Sequence, residues 1–567
     1  MSISTSFYCT LLLILMSILN YLSRLQPTIS IIAKMISEVA YNVSLKIITL
    51  WSWWWEVNNE DEKLARTILT ISVPALVFLW YKLMLFYTTK ASTPLPPGPY
   101  GLPLVGYLPF LGSNLHEIFT NMAQKYGPIF SLRLGSKLCV VVNSLDLVKV
   151  VSHDLDQTFA NRSSHIAALT ISYGRSNIAW SNNNKHWRNM RKLLVSQVMS
   201  NANLNASQTF RTHEVKRTVN QLFNNLGEKF NINEIAFNTE VNVVTSMLWG
   251  SSKSSEDVSI GDGFREVEFK IMELLGAPNI SDFLPVLSWF DLQKRKREMQ
   301  QQFEYVNEIF DNIIQKRIKT NLSKTDGADG NKDFLQIMLE LKDQKDTSSS
   351  FNMIHIKALL MDFVTAATDT TSTMVEWVMA EMLNNPSAMK RVQDELTTVV
   401  GINNIVEESH MPKLTYFDAV IKETFRLHPP LPLLIQRCPS ESCKVGGYVV
   451  PKDTMVFMNV WAIHRDPNNW PDPLEFKPER FLNGKWDYSG NNLKFLPFGT
   501  GRRICPGMPL GNKMLMYILA SLLHSFEWKL PKDDEFELRE EFGLVAKKRK
   551  PLVAIPSQRL PDATLYM

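Results

Sequence analysis

Cysteine is scarce in this chain. Its 567 residues include five, Cys9, Cys139, Cys438, Cys443 and Cys505. An odd, scattered set excludes a disulfide framework and fits a reducing compartment. An excess of one charge is also missing, since 60 Lys+Arg face 56 Asp+Glu for a formal net charge of +4. Both signs mix along the chain, so the balance names no partner and gives no ground for nucleic-acid binding. The length suggests several domains, yet neither repeats nor compositional breaks follow Pro94. With 45% hydrophobic residues, that long remainder has material for one large core. Charged side chains are absent from residues 1–23, where Phe7–Leu22 is strongly apolar.

A second apolar run, Thr67–Tyr87, is interrupted only by Lys82. It is long enough to span a bilayer at ~20 residues per helix. Lys82 lies near one end, where it can snorkel to the interface. Trp51, Trp53, Trp54, Trp55, Trp80 and Tyr81 fit interfacial anchors. A buried core helix is the plain alternative, but Pro94-Leu95-Pro96-Pro97-Gly98-Pro99 follows as a hinge. The expected organisation is an extension over 1–66, an anchor over 67–87, a proline-rich hinge over 88–101 and one large domain over 102–567. The run Phe7–Leu22 is read as a cleaved signal peptide, a second span or part of a targeting segment. Asn42-Val43-Ser44, a glycosylation sequon, separates the two runs and reports topology.

Beyond the hinge, Leu115–Tyr126 reads as a helix, and Phe130–Leu134 and Lys137–Val142 as strands. Helical patterns dominate through Leu427, shorter strands and turns follow, and Pro509–Leu530 reads as a final apolar helix. The expected fold class is mainly α with a small β-rich portion.

One stretch of this late region is the most specific signal in the chain: Phe498-Gly499-Thr500-Gly501-Arg502-Arg503-Ile504-Cys505-Pro506-Gly507. Five fixed residues at this spacing arise by chance in roughly 10⁻⁵ to 10⁻⁴ chains of such composition. A lone cysteine is normally a small buried hydrophobe, which suits Cys139, Cys438 and Cys443. The pattern around Cys505 resembles the haem-binding loop of the cytochrome P450 superfamily. The resemblance implies that the fold is the P450 fold, preceded by N-terminal membrane-anchoring helices. It makes Cys505 the thiolate ligand of the iron of haem b, a ligand that favours O–O cleavage. It also implies that Phe498 shields the sulfur and that Arg503 pairs with a haem propionate.

Further motifs carry the same resemblance. Ala366-Ala367-Thr368-Asp369-Thr370-Thr371 is similar to the family's central helix, which implies oxygen handling by Thr370 and an acid role for Asp369. Clustered threonines can back-bond to carbonyls and bend a helix, so a locally opened groove is expected. Ala367 stands where the family usually has Gly, and the extra methyl should narrow that groove. Glu423-Thr424-Phe425-Arg426 resembles the E-x-x-R motif, which implies a buried cluster with Arg480. Stranding one charge of such a cluster costs ~3–5 kcal/mol. Trp187 and Arg191, one helical turn apart, are expected to reach one propionate. Arg437 is a second candidate, although the neighbouring Gln436 replaces the usual Pro. Lys185, Arg188, Lys192, Lys494 and Arg502 suggest a basic face for an acidic reductase.

The substrate pocket implied by resemblance comprises Ile171, Ala366, Ala367, Leu431, Leu433, Leu434, Phe542 and Leu544, with Val545 nearby. Tyr173 and Asn177 are candidate hydrogen-bonding groups. Mainly apolar side chains imply a lipophilic small molecule. The whole chain is similar to plant microsomal haem-thiolate monooxygenases, especially a group that includes sesquiterpene oxidases. The implied activity inserts one atom of O₂ into a terpenoid, with electrons from NADPH through NADPH-cytochrome P450 reductase. The implied place is the endoplasmic reticulum membrane, with the catalytic domain facing the cytosol. A phenolic or alkaloid substrate is the alternative, and a non-catalytic haem-binding protein is the alternative of another class.

Overall fold

The computed structural model describes residues 94–163, 165–250, 255–323, 332–344, 351–532 and 535–567, with scattered positions between 64 and 79. The chain divides into two compact units, Met1–Ser92 and Thr93–Met567. In the first unit the described residues are helical and expose apolar side chains such as Leu69, Ile71 and Leu76. Among the described residues no helix is long and apolar enough to cross a membrane. The run Phe7–Leu22, the tryptophans at 51–55, the sequon at Asn42 and much of Thr67–Tyr87 lie outside the described residues.

The second unit already includes part of the expected hinge. Ser131 donates its backbone N–H to the Pro97 carbonyl at 2.8 Å and its hydroxyl to the Pro96 carbonyl at 2.6 Å. Gly98 permits this approach, because a Cβ there would lie 1.7 Å from the Ser131 carbonyl oxygen.

Strands β1 (Ile129–Leu134) and β2 (Lys137–Val142) form a hairpin, with Ile129 opposite Val142 and Leu134 opposite Lys137. They join β3 (Asn161–Arg162), β4 (Arg437–Cys438) and β5 (Met455–Met458) in the order β1-β2-β5-β4-β3. Only β2 and β5 run parallel, with Cys139 opposite Met455. Strand alternation sorts β2 onto two faces. Val140 and Val142 pack with Val456, Met458 and Ile463. Cys139 and Val141 pack with Phe119, Phe130 and Phe457.

The helical part comprises α1 (Leu115–Tyr126), α2 (Ile166–Ile171), α3 (Lys185–Leu193), α4 (Gln208–Phe223), α5 (Ile232–Trp249), α6 (Ser255–Gly276), α7 (Arg295–Ser323), α8 (Met353–Asn384), α9 (Pro386–Val399), α10 (Thr415–Leu427) and α11 (Met508–Ser525). Helix α8 has 32 residues, about 48 Å of axis at 1.5 Å each. Asn352 starts it by accepting the His355 amide at 3.2 Å, while the His355 ring accepts the Asn352 amide at 3.1 Å. From Thr371 to Met382 every residue of α8 is buried, because α5, α10 and α11 pack around it.

The last helix is shorter than its hydropathy predicts. It ends at Ser525 rather than Leu530, and Phe526–Lys529 pairs with Val553–Gln558 as a strand. Phe526 and Trp528 are buried while Glu527 and Lys529 are exposed, a period of two that suits an edge and not a helix.

Candidate active site

The Cys505 loop and α8 enclose a cavity offering about 270 Å³ to the centres of water-sized molecules. The loop is built by local backbone geometry. Gly501 takes φ +67°, and a Cβ there would come within 2.5 Å of the Ser152 carbonyl oxygen. Cys505 donates its N–H to the Phe498 carbonyl at 2.9 Å, which closes the turn. Cys139 and Cys438 are buried and Cys443 is partly so, whereas Cys505 is exposed among the described cysteines. Because Cys505 lines the cavity, that exposure faces the interior and not bulk water. Burial pushes its thiol up, opposed by the Gly507 and Met508 amides and by the Arg191 charge. At Cys139, where the Lys137 charge is the only opposing influence, burial pushes the thiol up to about 12. Phe498 also lines the cavity, with its ring centroid 5.4 Å from those of Phe425 and Tyr488.

One wall of the cavity carries four guanidiniums, Arg162, Arg191, Arg437 and Arg503. Backbone carbonyls hold them. Arg162 donates to Ile435 O, Arg191 to Ile504 O, Arg437 to Thr500 O and Arg503 to Ala160 O, each at 2.6 Å. Among the described residues, Asp156 is the carboxylate within ion-pair distance of this group, 3.3 Å from Arg437, and Arg502 shares it at 3.3 Å. The cations therefore act on one another. Burial and the charges of Arg503, Arg437 and Arg191 push Arg162 well below its ordinary value. Burial together with Arg437 and Arg191 lowers Arg503 to about 9. Such a wall calls for anions. Paired carboxylates meet that demand and Cys505 offers a soft ligand in the same cavity, so these residues fit a haem with its propionates and its iron.

Trp187 does not line this cavity. Its indole N–H goes to the Ile178 carbonyl at 3.1 Å, and the Arg503 guanidinium lies 4.1 Å above its ring. In this structure the two residues expected to share one carboxylate therefore point to different partners. Arg191 faces the cavity, and Trp187 stands behind the wall and orients Arg503. Arg162 was not anticipated from sequence. Its place follows from pairing directly opposite Arg437, a non-local contact. Gln436 does not displace β4, which pairs with both β3 and β5.

Helix α8 supplies the opposite wall. Leu359, Asp362, Phe363, Ala366, Ala367, Thr370, Thr371 and Met374 line it, a spacing of three and four that marks one helical face. The Thr370 hydroxyl donates to the Ala366 carbonyl at 2.7 Å, and its lone pairs remain for a ligand. Thr365 and Thr368 back-bond in the same way, at 2.8 and 3.2 Å. The expected local opening is absent from α8, which is regular throughout. A residue with a Cβ at Ala367, in place of glycine, favours that continuity. Asp369 is buried outside the cavity lining and forms an ion pair with Lys547 at 2.6 Å. One residue of helix turns it about 100° from Thr370.

Ala366, Ala367, Leu431 and Leu434 line the cavity, whereas Ile171, Leu433, Phe542 and Leu544 do not. Leu434 adopts φ +50°, so the turn separates it from Leu433, which packs with Phe119, Phe130 and Phe457. Phe542 lies beside His116, with ring centroids 5.5 Å apart. Tyr173 and Asn177 are engaged elsewhere. The Tyr173 hydroxyl meets Asn307 at 3.1 Å, and Asn177 donates to Asp362 at 2.9 Å. Asp362 also accepts the Ile178 amide at 2.5 Å. Burial nevertheless dominates and pushes its carboxyl up to about 7.

Outside the cavity, Glu423 and Arg426 form a fully buried bidentate pair at 2.7 and 2.8 Å. Arg480 joins Glu423 at 3.2 Å and caps the Asp472 carbonyl at 2.7 Å. Arg426 also gathers the His464 and Pro473 carbonyls at 2.8 and 2.7 Å, so the cluster ties α10 to the long loop that follows.

Comparison with known proteins agrees with this geometry. Geraniol 8-hydroxylase of Catharanthus roseus is 36% identical over 86% of this chain and 99% of that relative. Flavonoid 3',5'-hydroxylase of Campanula medium is 36% identical over 83% of this chain and 92% of that relative. A zebra fish cytochrome P450 solved with progesterone superposes with a TM-score of 0.69 at 25% identity, over 79% of this chain and 100% of the other. The Cytochrome P450 family model matches residues 96–555. A cysteine that shares a cavity with four guanidiniums, in a chain aligned so fully with plant hydroxylases, makes this a cytochrome P450 monooxygenase.

Proposed function

We propose that this monooxygenase hydroxylates a terpenoid, a lipophilic plant metabolite. The observation that carries the reading is the apolar α8 face opposite Cys505, with Ala366, Ala367 and Phe363 at the cavity and few polar anchors. Relatives named for geraniol and for ferruginol support a terpenoid. The relative named for a flavonoid supports the second reading, a phenolic substrate.

When bound, haem supplies the activation of oxygen and the oxidation of an unactivated C–H bond. Cys505 would hold its iron through the thiolate, and Arg162, Arg191, Arg437 and Arg503 would hold its propionates. Phe498 keeps water from the sulfur. Thr370 offers a hydroxyl to oxygen and to protons moving through the cavity. The apolar side chains of α8 and Leu431 orient the carbon to be attacked. Electrons come from NADPH through a reductase docked on Lys185, Arg188 and Lys192, which are exposed. Lys494 is half-buried and Arg502 is held by Asp156, so both contribute less to that surface. The N-terminal segment anchors the enzyme in the endoplasmic reticulum membrane, with the catalytic unit in the cytosol.

The test is NADPH-dependent product formation in microsomes that contain a plant reductase, with mass spectrometry against geraniol, sesquiterpenes and simple phenolics. A terpenoid one oxygen heavier supports the reading. Turnover of phenolics alone replaces it with the second. Thr370→Ala should keep the carbon monoxide difference spectrum while product per NADPH falls roughly tenfold or more. Unchanged coupling would remove Thr370 from the proposed role.

A further inference from the structure

Four charged side chains from four segments meet near the middle of α8, and they do not form two salt bridges. Asp369 and Lys547 pair at 2.6 Å, with Lys547 about one-third exposed and Asp369 buried. Glu268, on α6, is 1% exposed, and neither of its carboxyl oxygens has a hydrogen-bond partner. Glu240, on α5, is 1% exposed, and its Oε2 has no partner either. Glu240 also lines the cavity that holds Thr370 and Cys505.

Asp369 and Glu268 thus share one ammonium, that of Lys547. Arg211, on α4, is the cation acting on Glu240, and it is already bound bidentately to Glu408 at 2.6 and 2.9 Å. An ionised carboxyl without a partner in such surroundings costs several kcal/mol, so the group keeps its proton instead. Burial pushes Glu240 up to about 8, against the pull of Arg211. Burial and the charges of Asp369 and Glu240 push Glu268 well above its ordinary value, against the pull of Lys547. The anionic member of the cluster is Asp369, because Lys547 sits directly upon it.

We propose that Glu240 and Glu268 store two protons beside the cavity, that Lys547 holds Asp369 anionic, and that Glu240 hands the proton into the cavity. The inference rests on oxygen chemistry in this cavity, as proposed above, and moves the acid from Asp369 to Glu240. The transfer is a proton shift alone. Glu240 gives its proton to a hydroxyl or water in the cavity and becomes a carboxylate. Glu268 restores it through intervening water, since no hydrogen bond joins the two carboxyls directly, and solvent recharges Glu268 from the side of the partly exposed Lys547. Inserting one oxygen atom and releasing the other as water takes up two protons, the number this pair stores.

The test uses the full-length holoenzyme and two readouts. Infrared spectra at neutral pH should show the C=O stretches of Glu240 and Glu268 as protonated buried acids, in addition to that of Asp362, which stands at about 7. Glu240→Gln should delete one of the first two bands and Glu268→Gln the other. Lys547→Met should shift the Glu268 band, because the positive charge acting on that carboxyl is lost, and Lys547→Arg should not. With reductase and NADPH, Glu240→Gln should lower product per NADPH by roughly tenfold or more, with Glu240→Asp partly restoring it and the carbon monoxide spectrum intact. Absence of the Glu240 and Glu268 bands overturns the inference, and so does unchanged coupling in Glu240→Gln. If that variant fails to bind haem, the bands in Glu268→Gln and Lys547→Met decide. Wild-type enzyme that ignores terpenoids overturns only the substrate reading, and coupling is then read with the phenolic it accepts.

Discussion

The two walls of the cavity are built on opposite principles. The Cys505 wall comes from loops, two-residue strands and the helix α3 that carries Arg191, all far apart in sequence, and each of its guanidiniums is held by backbone carbonyls. Changing a neighbouring side chain leaves those carbonyls where they are. The α8 wall is a single helical face whose chemistry lies in its side chains alone. The first arrangement suits one invariant anionic ligand. The second can present a different surface after a single substitution. The contrast explains how a fixed cofactor site and an adaptable substrate site can share one cavity.

The strongest break of the contrast is Cys505→Ala. It should abolish haem incorporation and activity, read from the carbon monoxide difference spectrum, and full activity would sink the ligand assignment. A paired experiment comes next. Arg162→Leu should weaken haem retention by about 2 kcal/mol or more, measured by transfer of haem to an acceptor protein. Ala366→Leu should keep haem and shift KM for the preferred substrate by roughly tenfold. If both variants lose haem, or both merely change KM, the division between the walls is wrong.

The smallest effect concerns Asp362. Its folded carboxyl stands at about 7 against an ordinary 3.8. A raised carboxyl contributes stability that is fully present below the ordinary value and lost as pH rises through about 7. The Tm of wild type should therefore fall relative to Asp362→Asn across that window. Parallel pH profiles would mean that Asp362 keeps its ordinary pKa.

Some of this organisation is legible in the sequence because its determinants are local. The Cys505 turn needs a glycine at 501 and the carbonyl of Phe498, and both lie within ten residues of the cysteine. The Glu423–Arg426 pair is one helical turn. The α8 face is legible too, since Leu359, Asp362, Phe363, Ala366 and Thr370 follow helical spacing. Other features depend on contacts that no local pattern encodes. Arg162 acquires its role by lying opposite Arg437, 275 positions away in the numbering, where 437 minus 162 is that separation. Leu433 and Leu434 are neighbours with the same side chain, and one left-handed residue sends them to different places. The acid role expected of Asp369 follows from a local motif, whereas its ion pair with Lys547 comes from the far end of the chain.

Ile178 has a consequence for how this enzyme can diversify. Its amide is bound by Asp362, its carbonyl by Trp187 and Arg503, and its side chain faces the cavity. Those backbone bonds are indifferent to the identity of the residue. A mutation there can alter what the pocket accepts while the scaffold keeps its anchorage, so position 178 is a natural place for new substrate preferences to arise without loss of a folded, haem-bearing enzyme.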